Sequence, residues 1–462
     1  MPSYSCAGIG PEEAGRRDVT RNKGDAVRNA VRDASPTRSE RPRRPLKVIV
    51  GLAAVGLLAA ACGSSNTTNT TQPSNAATGT PIPVGQIYPA TGANLALPEL
   101  GNSLKASIAG LNSSGGINGH PLKLIQCDSQ GDSNTEVQCA QTMVKDHVVA
   151  TLEDSTFSNP SQVNSILKGA GIPRIGLTMA DVTDYSNPDN FDFTGGGIFT
   201  LVGMMENLVN KGDKKISVVV PDEPQSTQTH LLLDPIAAAE GAKVVNYVLV
   251  SSASGDYSQY VAQAEQNGSQ GMVLALPNAQ LVQMAQVINQ LGTKIDYTTG
   301  IAGFTLTQLK DLGAFAKKAS FVWWTPGIDD TKNFPGLAQP IATLTANMQG
   351  ATVNNMTATS LGSWLAVHAF DEVVKPQSGT PSAASVLAGF KAAKDIPMNG
   401  IISPWSPGVY QSAGTFSSIF SNVSNPWMYR ISYNGTNTQT SPSQLFNTFA
   451  GLPGNSTTST SG

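Results

Sequence analysis

Residues 91–144 read TGANLALPELGNSLKASIAGLNSSGGINGHPLKLIQCDSQGDSNTEVQCAQTMV and contain a complete helix, turn, strand and helix. Apolar residues recur at spacings of three and four from Leu97 to Leu111, which predicts an amphipathic helix. The turn residues NSSGGING then end this helix. The run PLKLIQC predicts a short strand, and residues 135–145 are predicted to form the next helix.

The same alternation of strands and helices continues on both sides of this unit. Upstream lies the strand-like run PIPVGQIY, and downstream the runs HVVATLED and IPRIGLT enclose a helix. A second series of alternating helices and strands begins near Gly195 and ends at the strand-like run KKASFVWWTPG. Repeated strand–helix–strand units form parallel sheets with helices on both faces. We therefore predict an α/β fold of two doubly wound parallel-sheet lobes, with the ligand cleft between the lobes.

A short apolar run near the N-terminus predicts export. Residues 48–61 are uncharged, follow a basic stretch and end in small residues before Cys62. The run is shorter than the roughly 20 residues of a membrane span, so residues 1–61 are interpreted as a leader and signal peptide. LLAAAC resembles a bacterial lipobox, with Ala59 where Leu is usual, so we predict a lipid on Cys62. An ordinary signal peptide with an incidental cysteine is the alternative. Residues 62–80 are predicted to be a flexible tether.

The charge balance argues against a nucleic-acid partner. The whole chain carries a formal charge of −3. Removal of residues 1–61, with 11 basic and 6 acidic residues, would leave 18 basic and 26 acidic residues, or −8. Nucleic-acid binding requires clustered positive charge.

The remaining cysteines predict a disulfide. Cys127 and Cys139 form an even pair, and exported proteins meet an oxidising environment. The bond would join the end of the strand at 122–126 to the helix that follows. A metal site is the alternative, but two cysteines without nearby histidines make a poor ligand set. We predict no metal and no cofactor.

Several segments together resemble the type I periplasmic binding proteins, and more narrowly the branched-chain amino acid and amide-binding group of ABC importers. They are Thr91-Gly92 after the first strand, GGING after the first helix, Asp128 after the second strand, and the later GDYSQYVAQAEQNGSQGMVLA and SLGSWLAVHAFDEVV. The resemblance covers about residues 81–435. The resemblance implies that a multi-crossover hinge joins the two lobes. The implied boundaries are 81–197 and 326–405 for lobe 1, 198–325 and 406–450 for lobe 2, and a disordered tail at 451–462.

The resemblance implies a ligand site in two loops of the first lobe. In the family, small hydroxyl residues and backbone N–H groups after the third and fourth strands bind a ligand carboxylate. The matching loops here are LEDSTFSNPSQ and GLTMADVTDY, which implies contacts from Ser155, Thr156 and Thr178. Ala180 stands where a further hydroxyl is expected, and Asp154 would repel a carboxylate if it faced the cleft. Helix capping is the alternative role of Ser155.

The second lobe departs further from the family pattern. Its loop PDEPQSTQTH places Gln225 or Ser226 where relatives often have an aromatic residue. The loop TGIAGFTLTQ lacks the acidic residue that pairs with the ligand ammonium in amino acid binders. A buried ammonium without a counter-charge is costly. We therefore expect a small organic acid, an amide or another small metabolite in preference to a standard α-amino acid.

Apolar and aromatic residues supply the other candidates. Leu97 sits where ligand contacts often occur in the family. Trp323 and Trp324 lie near an expected crossover, where one would pack in the core and the other could wall the cleft. Phe304 is a similar candidate, because aromatic side chains commonly line ligand pockets.

The sequence favours a binding protein over an enzyme. It contains no HExxH, GxSxG or GxxxxGK[ST] motif. We predict an extracytoplasmic solute-binding lipoprotein of an ABC importer, a monomer on the outer face of the cell membrane. Its lobes would close on a small molecule by hinge motion, and the permease subunits would recognise the loaded form. A ligand sensor that signals to a membrane receptor or kinase is one alternative, and an exported hydrolase with a triad recognisable only by geometry is another.

Overall fold

A computed structural model of the chain describes residues 76–92, 95–223, 226, 229–450 and 452–455. The predicted lipid site Cys62, the candidate Gln225, most of the tether and most of the tail lie outside these residues. Within the described ranges, no helix combines the length and apolar character needed to cross a bilayer.

The first sheet is entirely parallel. Its five strands are β1 (Ile82–Tyr88), β2 (Leu122–Asp128), β3 (Thr151–Leu152), β4 (Arg174–Ile175) and β5 (Asn190–Phe191). Their spatial order is β2-β1-β3-β4-β5. The strands β3 and β4 are shorter than the predicted runs because Glu153 (φ 51°) and Gly176 (φ 67°) directly follow them and leave the extended conformation.

The second sheet is mixed. Its strands are β6 (Lys215–Pro221), β7 (Lys243–Val250), β8 (Gly271–Leu274), β9 (Asp296–Gly300), β10 (Ser320–Trp323), β11 (Trp427–Tyr433) and β12 (Thr438–Asn447). Their order is β12-β11-β10-β9-β8-β6-β7. Strands β6 to β10 are parallel, whereas β11 and β12 add an antiparallel edge. The sequence pattern does not predict β9, β11 or β12.

Helices cover both sheets. They are α1 (Pro98–Ser113), α2 (Ser133–Lys145), α3 (Pro160–Gly169), α4 (Val182–Ser186), α5 (Gly196–Lys211), α6 (Thr229–Ala239), α7 (Ser258–Ala264), α8 (Asn278–Leu291), α9 (Leu306–Leu312), α10 (Ala314–Lys318), α11 (Ala338–Asn347), α12 (Ala358–Val374) and α13 (Ala383–Ala392). Short 3-10 helices occupy Gln266–Gly268, Ile301–Gly303, Pro335–Leu337 and Gly414–Phe416.

Local sequence explains where several helices begin and end. Pro98 and Pro160 open α1 and α3, a position where the missing N–H of proline costs nothing. Thr305 and Gln308 form a reciprocal capping box at the start of α9. Gly212 ends α5 in the left-handed conformation, with φ 108°.

The two sheets define two lobes, as predicted. We call the five-stranded sheet with α1–α4 and α11–α13 lobe 1, and the seven-stranded sheet with α5–α10 lobe 2; α11 and α12 pack on α1, and α5 packs on β8, β9 and β10. Within the described residues the chain crosses between the lobes at 192–195, 324–337 and 393–426. The predicted two-lobe α/β fold is confirmed.

The first lobe also contains the predicted disulfide. Cys127 at the end of β2 is bonded to Cys139 in α2, with the two Cα atoms 5.5 Å apart. Cys139 is fully buried. The bond therefore joins the edge strand of the sheet to the helix that packs on it.

Candidate functional site

A cavity of about 90 Å³ lies between the lobes at the first two crossovers. One water molecule occupies roughly 10–15 Å³ of cavity volume measured in this way, so the cavity has room for a small ligand group. Lobe 1 contributes the residues that follow β3 and β4 and the first turns of α12. Lobe 2 contributes the start of α5 and the end of β10. The polar lining residues are Glu153 and the threonines at 178, 194, 200, 325 and 359.

Aromatic rings form one wall of the cavity. Phe193, Trp323 and Trp324 all line it. Trp324 is 2% exposed and donates from its indole Nε1 to Thr200 Oγ1 at 3.0 Å. A Cβ at Gly195 would lie 2.2 Å from the Trp324 ring, so only glycine fits beside it. Trp324 therefore combines the two roles predicted for the tryptophan pair, because it packs in the core of lobe 2 and also walls the cavity.

A buried arginine holds together the loops that follow β3 and β4. Arg174 is 1% exposed; its Nε lies 3.0 Å from Asp154 Oδ2, and its Nη1 lies 3.0 Å from Asp184 Oδ1. Nη1 also donates to Asn164 Oδ1 and Nη2 to Thr156 Oγ1, each at 2.9 Å. Burial opposes the charge of Arg174, but the two carboxylates outweigh it and raise the pKa of Arg174 above its ordinary value. We call Arg174 and these four partners the Arg174 cluster.

The four polar candidates of lobe 1 fall into two groups. Ser155 Oγ donates to Thr178 Oγ1 at 3.2 Å, and Thr178 lines the cavity. Asp154 and Thr156 are fully buried and bonded to Arg174. The structure therefore places Asp154 and Thr156 in the core of the lobe, where Arg174 occupies their polar atoms. Ligand contact by Ser155 and Thr178 stays a prediction.

The other described candidates are not among the lining residues of the cavity. Phe304 is 3% exposed and packs edge-on against Phe321 in a core cluster, with ring centroids 5.9 Å apart. Phe304 was predicted to line the cleft, but the structure places its side chain in the hydrophobic core. Leu97 is half-buried at the N-cap of α1. Ser226 donates its backbone N–H to the carbonyl of Glu223 at 3.0 Å.

Glu153 is the titratable residue of the cavity lining. It is 6% exposed, and its Oε2 has no hydrogen-bond partner among the described residues. Its Oε1 would lie 2.7 Å from a Cβ at Gly362 of α12, another lining residue. Burial raises the pKa of Glu153 well above its ordinary value, and Asp192 and Asp154 add to this effect. The backbone of Glu153 is left-handed, with a φ of 51°. This conformation is uncommon for a residue with a side chain and costs about 1–3 kcal/mol.

The helix N-termini beside the cavity are engaged by the protein itself. At α5, the N–H groups of residues 196–198 donate to other protein oxygens. At α12, Glu99 Oε1 accepts from the backbone N–H of Thr357 at 2.9 Å, and Thr357 Oγ1 accepts from the N–H of Thr359. A ligand anion would have to displace these acceptors to use the helix ends.

The sequence reading did not single out Glu153, although a signal for it exists. Glu153 and Asp154 are adjacent carboxylates directly after the buried strand β3. A single cation, Arg174, lies in the neighbouring strand β4, where it pairs in register with Thr151. One cation beside two buried carboxylates leaves one of them unpaired. Thr325, whose buried Oγ1 also has no partner among the described residues, gave no comparable signal. No group of three or more His, Cys, Asp or Glu residues in the described ranges is arranged to hold a metal ion.

Comparison with known families identifies the fold family. The sequence profile described as periplasmic binding protein matches residues 81–416. The chain belongs to this family. The resemblance to the type I periplasmic binding proteins, inferred from the segments between Thr91 and Asp128, is thus confirmed. No curated protein matches the sequence.

Solved structures of this family have the same fold. A solute-binding protein of an ABC transporter from R. palustris, in complex with 4-hydroxybenzoate, is 16% identical, with a TM-score of 0.63, and the match covers 79% of this chain and 97% of that one. A branched-chain amino acid transporter substrate-binding protein from Streptococcus pneumoniae, in complex with isoleucine, is 13% identical, with a TM-score of 0.60 and coverage of 78% and 98%. A leucine-binding protein from Thermotoga maritima is 12% identical, with a TM-score of 0.62 and coverage of 79% and 99%.

Proposed function

We propose that this periplasmic binding protein is the extracytoplasmic solute-binding lipoprotein of an ABC importer. It captures a small molecule, namely an amino acid, an amide or a small organic acid, between two lobes that close by hinge motion. It acts as a monomer without catalytic activity or a cofactor. Its partners are the ligand, the permease subunits and the membrane to which its lipid is attached.

The observation that carries the proposal is the cavity at the crossovers. Residues of both lobes line it, so a ligand there contacts both lobes at once. Glu153 and Thr178 come from lobe 1, whereas Thr200 and Trp324 come from α5 and the end of β10. Such a ligand favours the closed arrangement of the lobes, because only that arrangement provides both sets of contacts.

A thermal-shift screen tests the binding function. We would use the exported chain with Cys62→Ser, screened against amino acids, their amides and short organic acids. A ligand at about 100 times its Kd stabilises the folded state by about 2.7 kcal/mol, a readily measured shift. If no ligand shifts the melting temperature and the protein instead hydrolyses ester or amide substrates, the binding function is wrong.

Membrane fractionation tests the anchor. The wild-type chain should be recovered with the membranes, and Cys62→Ser should be released, because two acyl chains are needed for stable attachment. Cys6→Ser is the matched control and should leave the protein on the membrane. Equal membrane recovery of both variants would contradict lipid attachment at Cys62.

Uptake measurements test the importer role. Cells that lack this chain should take up the identified ligand more slowly, and the wild-type chain should restore uptake. Unchanged uptake together with a lost transcriptional or signalling response to the ligand would favour a sensor.

A further inference from the structure

Two buried polar atoms of the cavity lining have no hydrogen-bond partner in the described part of the chain. They are Glu153 Oε2 and Thr325 Oγ1. Unsatisfied buried polar atoms are rare in native proteins and call for an explanation. Both residues line the same cavity, one from lobe 1 and one from the second crossover. A ligand that donates hydrogen bonds would satisfy both.

We propose that Glu153 binds a protonated amine of the ligand and is the counter-charge of that amine. This inference rests on the proposed solute-binding function and narrows its ligand to small molecules that carry a primary ammonium group. The carboxylate accepts the ammonium hydrogens, and the hydroxyl of Thr325 can accept a further one. Glu153 is thereby a specificity-determining residue of the binding site.

Charge favours a cation over an anion in this cavity. Among the residues that the structure describes, no Lys, Arg or His lines the cavity. The charged groups that act on Glu153 are Asp192 and Asp154, and the Arg174 guanidinium is already paired with Asp154 and with Asp184. The helix N-termini that could hold an anion are bonded to protein oxygens. An ammonium is therefore attracted here and a carboxylate has no counter-charge.

The aromatic wall agrees with the same ligand class. Trp323, Trp324 and Phe193 line the cavity beside the unpartnered carboxyl. Aromatic faces attract cations, and tryptophan does so most strongly. Apolar carbon atoms next to the ammonium would also pack against these rings.

This arrangement changes the expectation drawn from the second lobe. The loop after β9 has no acidic residue, which argued against an amino group on the ligand. Glu153 supplies the missing acid from lobe 1 instead. The structure thus restores α-amino acids and other primary amines to the ligand class.

Amine binding is coupled to the protonation of Glu153. Burial raises the pKa of the free Glu153 carboxyl, and a neighbouring ammonium lowers it again. Where the free carboxyl is protonated, it ionises when the ammonium binds, and its proton passes to the solvent. The bound pair is a carboxylate and an ammonium, and no covalent bond forms or breaks apart from the O–H bond of Glu153.

Four probes of matched shape test the inference by titration calorimetry: isoamylamine, leucine, isovaleramide and isovalerate. We expect the wild-type chain to bind isoamylamine or leucine more tightly than the amide and the acid. Titrations in buffers of different ionisation enthalpy, repeated at several pH values, should show proton release on amine binding wherever the free Glu153 carboxyl is protonated. Glu153→Gln should weaken amine binding by about tenfold or more and abolish the proton release.

The melting temperature, a control variant and a second cavity variant complete the test. Glu153→Gln keeps the shape of the protonated acid, so its melting temperature should equal that of the wild type. Glu372→Gln removes an exposed carboxylate of α12 and should change neither affinity nor proton release. Gly362→Ala brings a methyl group against Glu153 Oε1 and should weaken amine binding by displacing the carboxyl.

The outcomes separate the inference from the proposed function. Wild-type binding of isovalerate or isovaleramide without binding of either amine would overturn the role of Glu153 and leave the binding function intact. Amine binding that Glu153→Gln retains at full affinity would also overturn it. Failure of both amines would overturn the inference, whereas solute binding itself is decided by the broader thermal-shift screen.

Discussion

Replacement of Arg174 by methionine should destabilise lobe 1 more than any surface substitution. The guanidinium makes bonds of 2.9–3.0 Å to four side chains of the Arg174 cluster and is 1% exposed. Methionine fills much of the same volume but leaves Asp154 and Asp184, both 0% exposed, without their cation. The variant therefore isolates the loss of charge from the loss of packing.

The expected magnitude follows from the unpaired carboxylates. Removal of one partner of a buried ion pair costs about 3–5 kcal/mol. With about 2.1 cal/mol/K of unfolding entropy per residue over roughly 380 folded residues, this lowers the melting temperature by about 4–6 °C.

The loss of unfolding free energy caused by Arg174→Met should also depend on pH. Burial raises the pKa of Asp154, and Arg174 together with hydrogen bonds from Thr151 and Ile87 opposes that effect. Without Arg174 the pKa of Asp154 rises further, so the folded variant holds a proton that the unfolded chain releases. A raised pKa contributes stability at low pH that is lost as the pH increases. The cost of Arg174→Met should therefore shrink as the pH approaches the ordinary aspartate value of 3.8.

Urea denaturation and calorimetry at several pH values provide the assay. Lys168→Met, which removes an exposed cation of α3, is the matched control and should change stability by less than about 0.5 kcal/mol. Adding Asp154→Asn to Arg174→Met should restore part of the loss, because it removes one unpaired charge. An Arg174→Met protein as stable as the control at every pH would refute the reasoning.

Three further predictions concern other parts of the fold. Replacing Cys127 and Cys139 with serine should cost about 3 kcal/mol in urea denaturation, since the bond closes a loop with a sequence separation of 12; a reductant should then affect only the wild type. Gly101→Ala should cost about 1–3 kcal/mol, because its Cβ would lie 2.0 Å from a tyrosine hydroxyl, whereas Gly169→Ala, with open space, should be neutral or slightly stabilising; equal melting temperatures would contradict this. Burial raises the pKa of Asp192 from 3.8 to about 8, so its contribution to stability is lost as the pH rises through about 8, and Asp192→Asn should flatten the dependence of unfolding free energy on pH between these values.

The spacing of apolar residues and the turn residues were sufficient to predict the fold class, because α1, α3 and α5 carry apolar faces and end beside glycines. Two-residue strands such as β3 could not be delimited from sequence, since their ends depend on a left-handed Glu153 that no local pattern indicates. Strand β11 pairs with β10, which lies about 100 residues earlier, and pairing at that distance has no local signature. Strand β12 pairs with β11 across a short turn that begins with Asn434-Gly435, so a local hairpin signal did exist there.

The candidate site was predicted less completely, for a physical reason. Thr178, in the loop after β4, lines the cavity, and its contact with a ligand stays a prediction. Which residues of those loops face the ligand depends on the Arg174 cluster, which draws Asp154 and Thr156 into the core. Sequence alone places Glu153, Asp154, Ser155 and Thr156 on one loop without showing which of them has a partner.

The first and third crossovers are bonded to one another, and the second crossover is bonded to lobe 2. Asn425 Nδ2 donates to the carbonyl of Phe193 at 2.7 Å, and Ser424 Oγ donates to the carbonyl of Asp192 at 3.0 Å, so the third crossover is tied to the first. In the second crossover, Asp330 accepts from the backbone N–H of Thr440 in β12 at 2.6 Å, which fixes it to lobe 2. If the lobes close by the proposed hinge motion, these bonds are kept only when the bending falls outside the bonded positions.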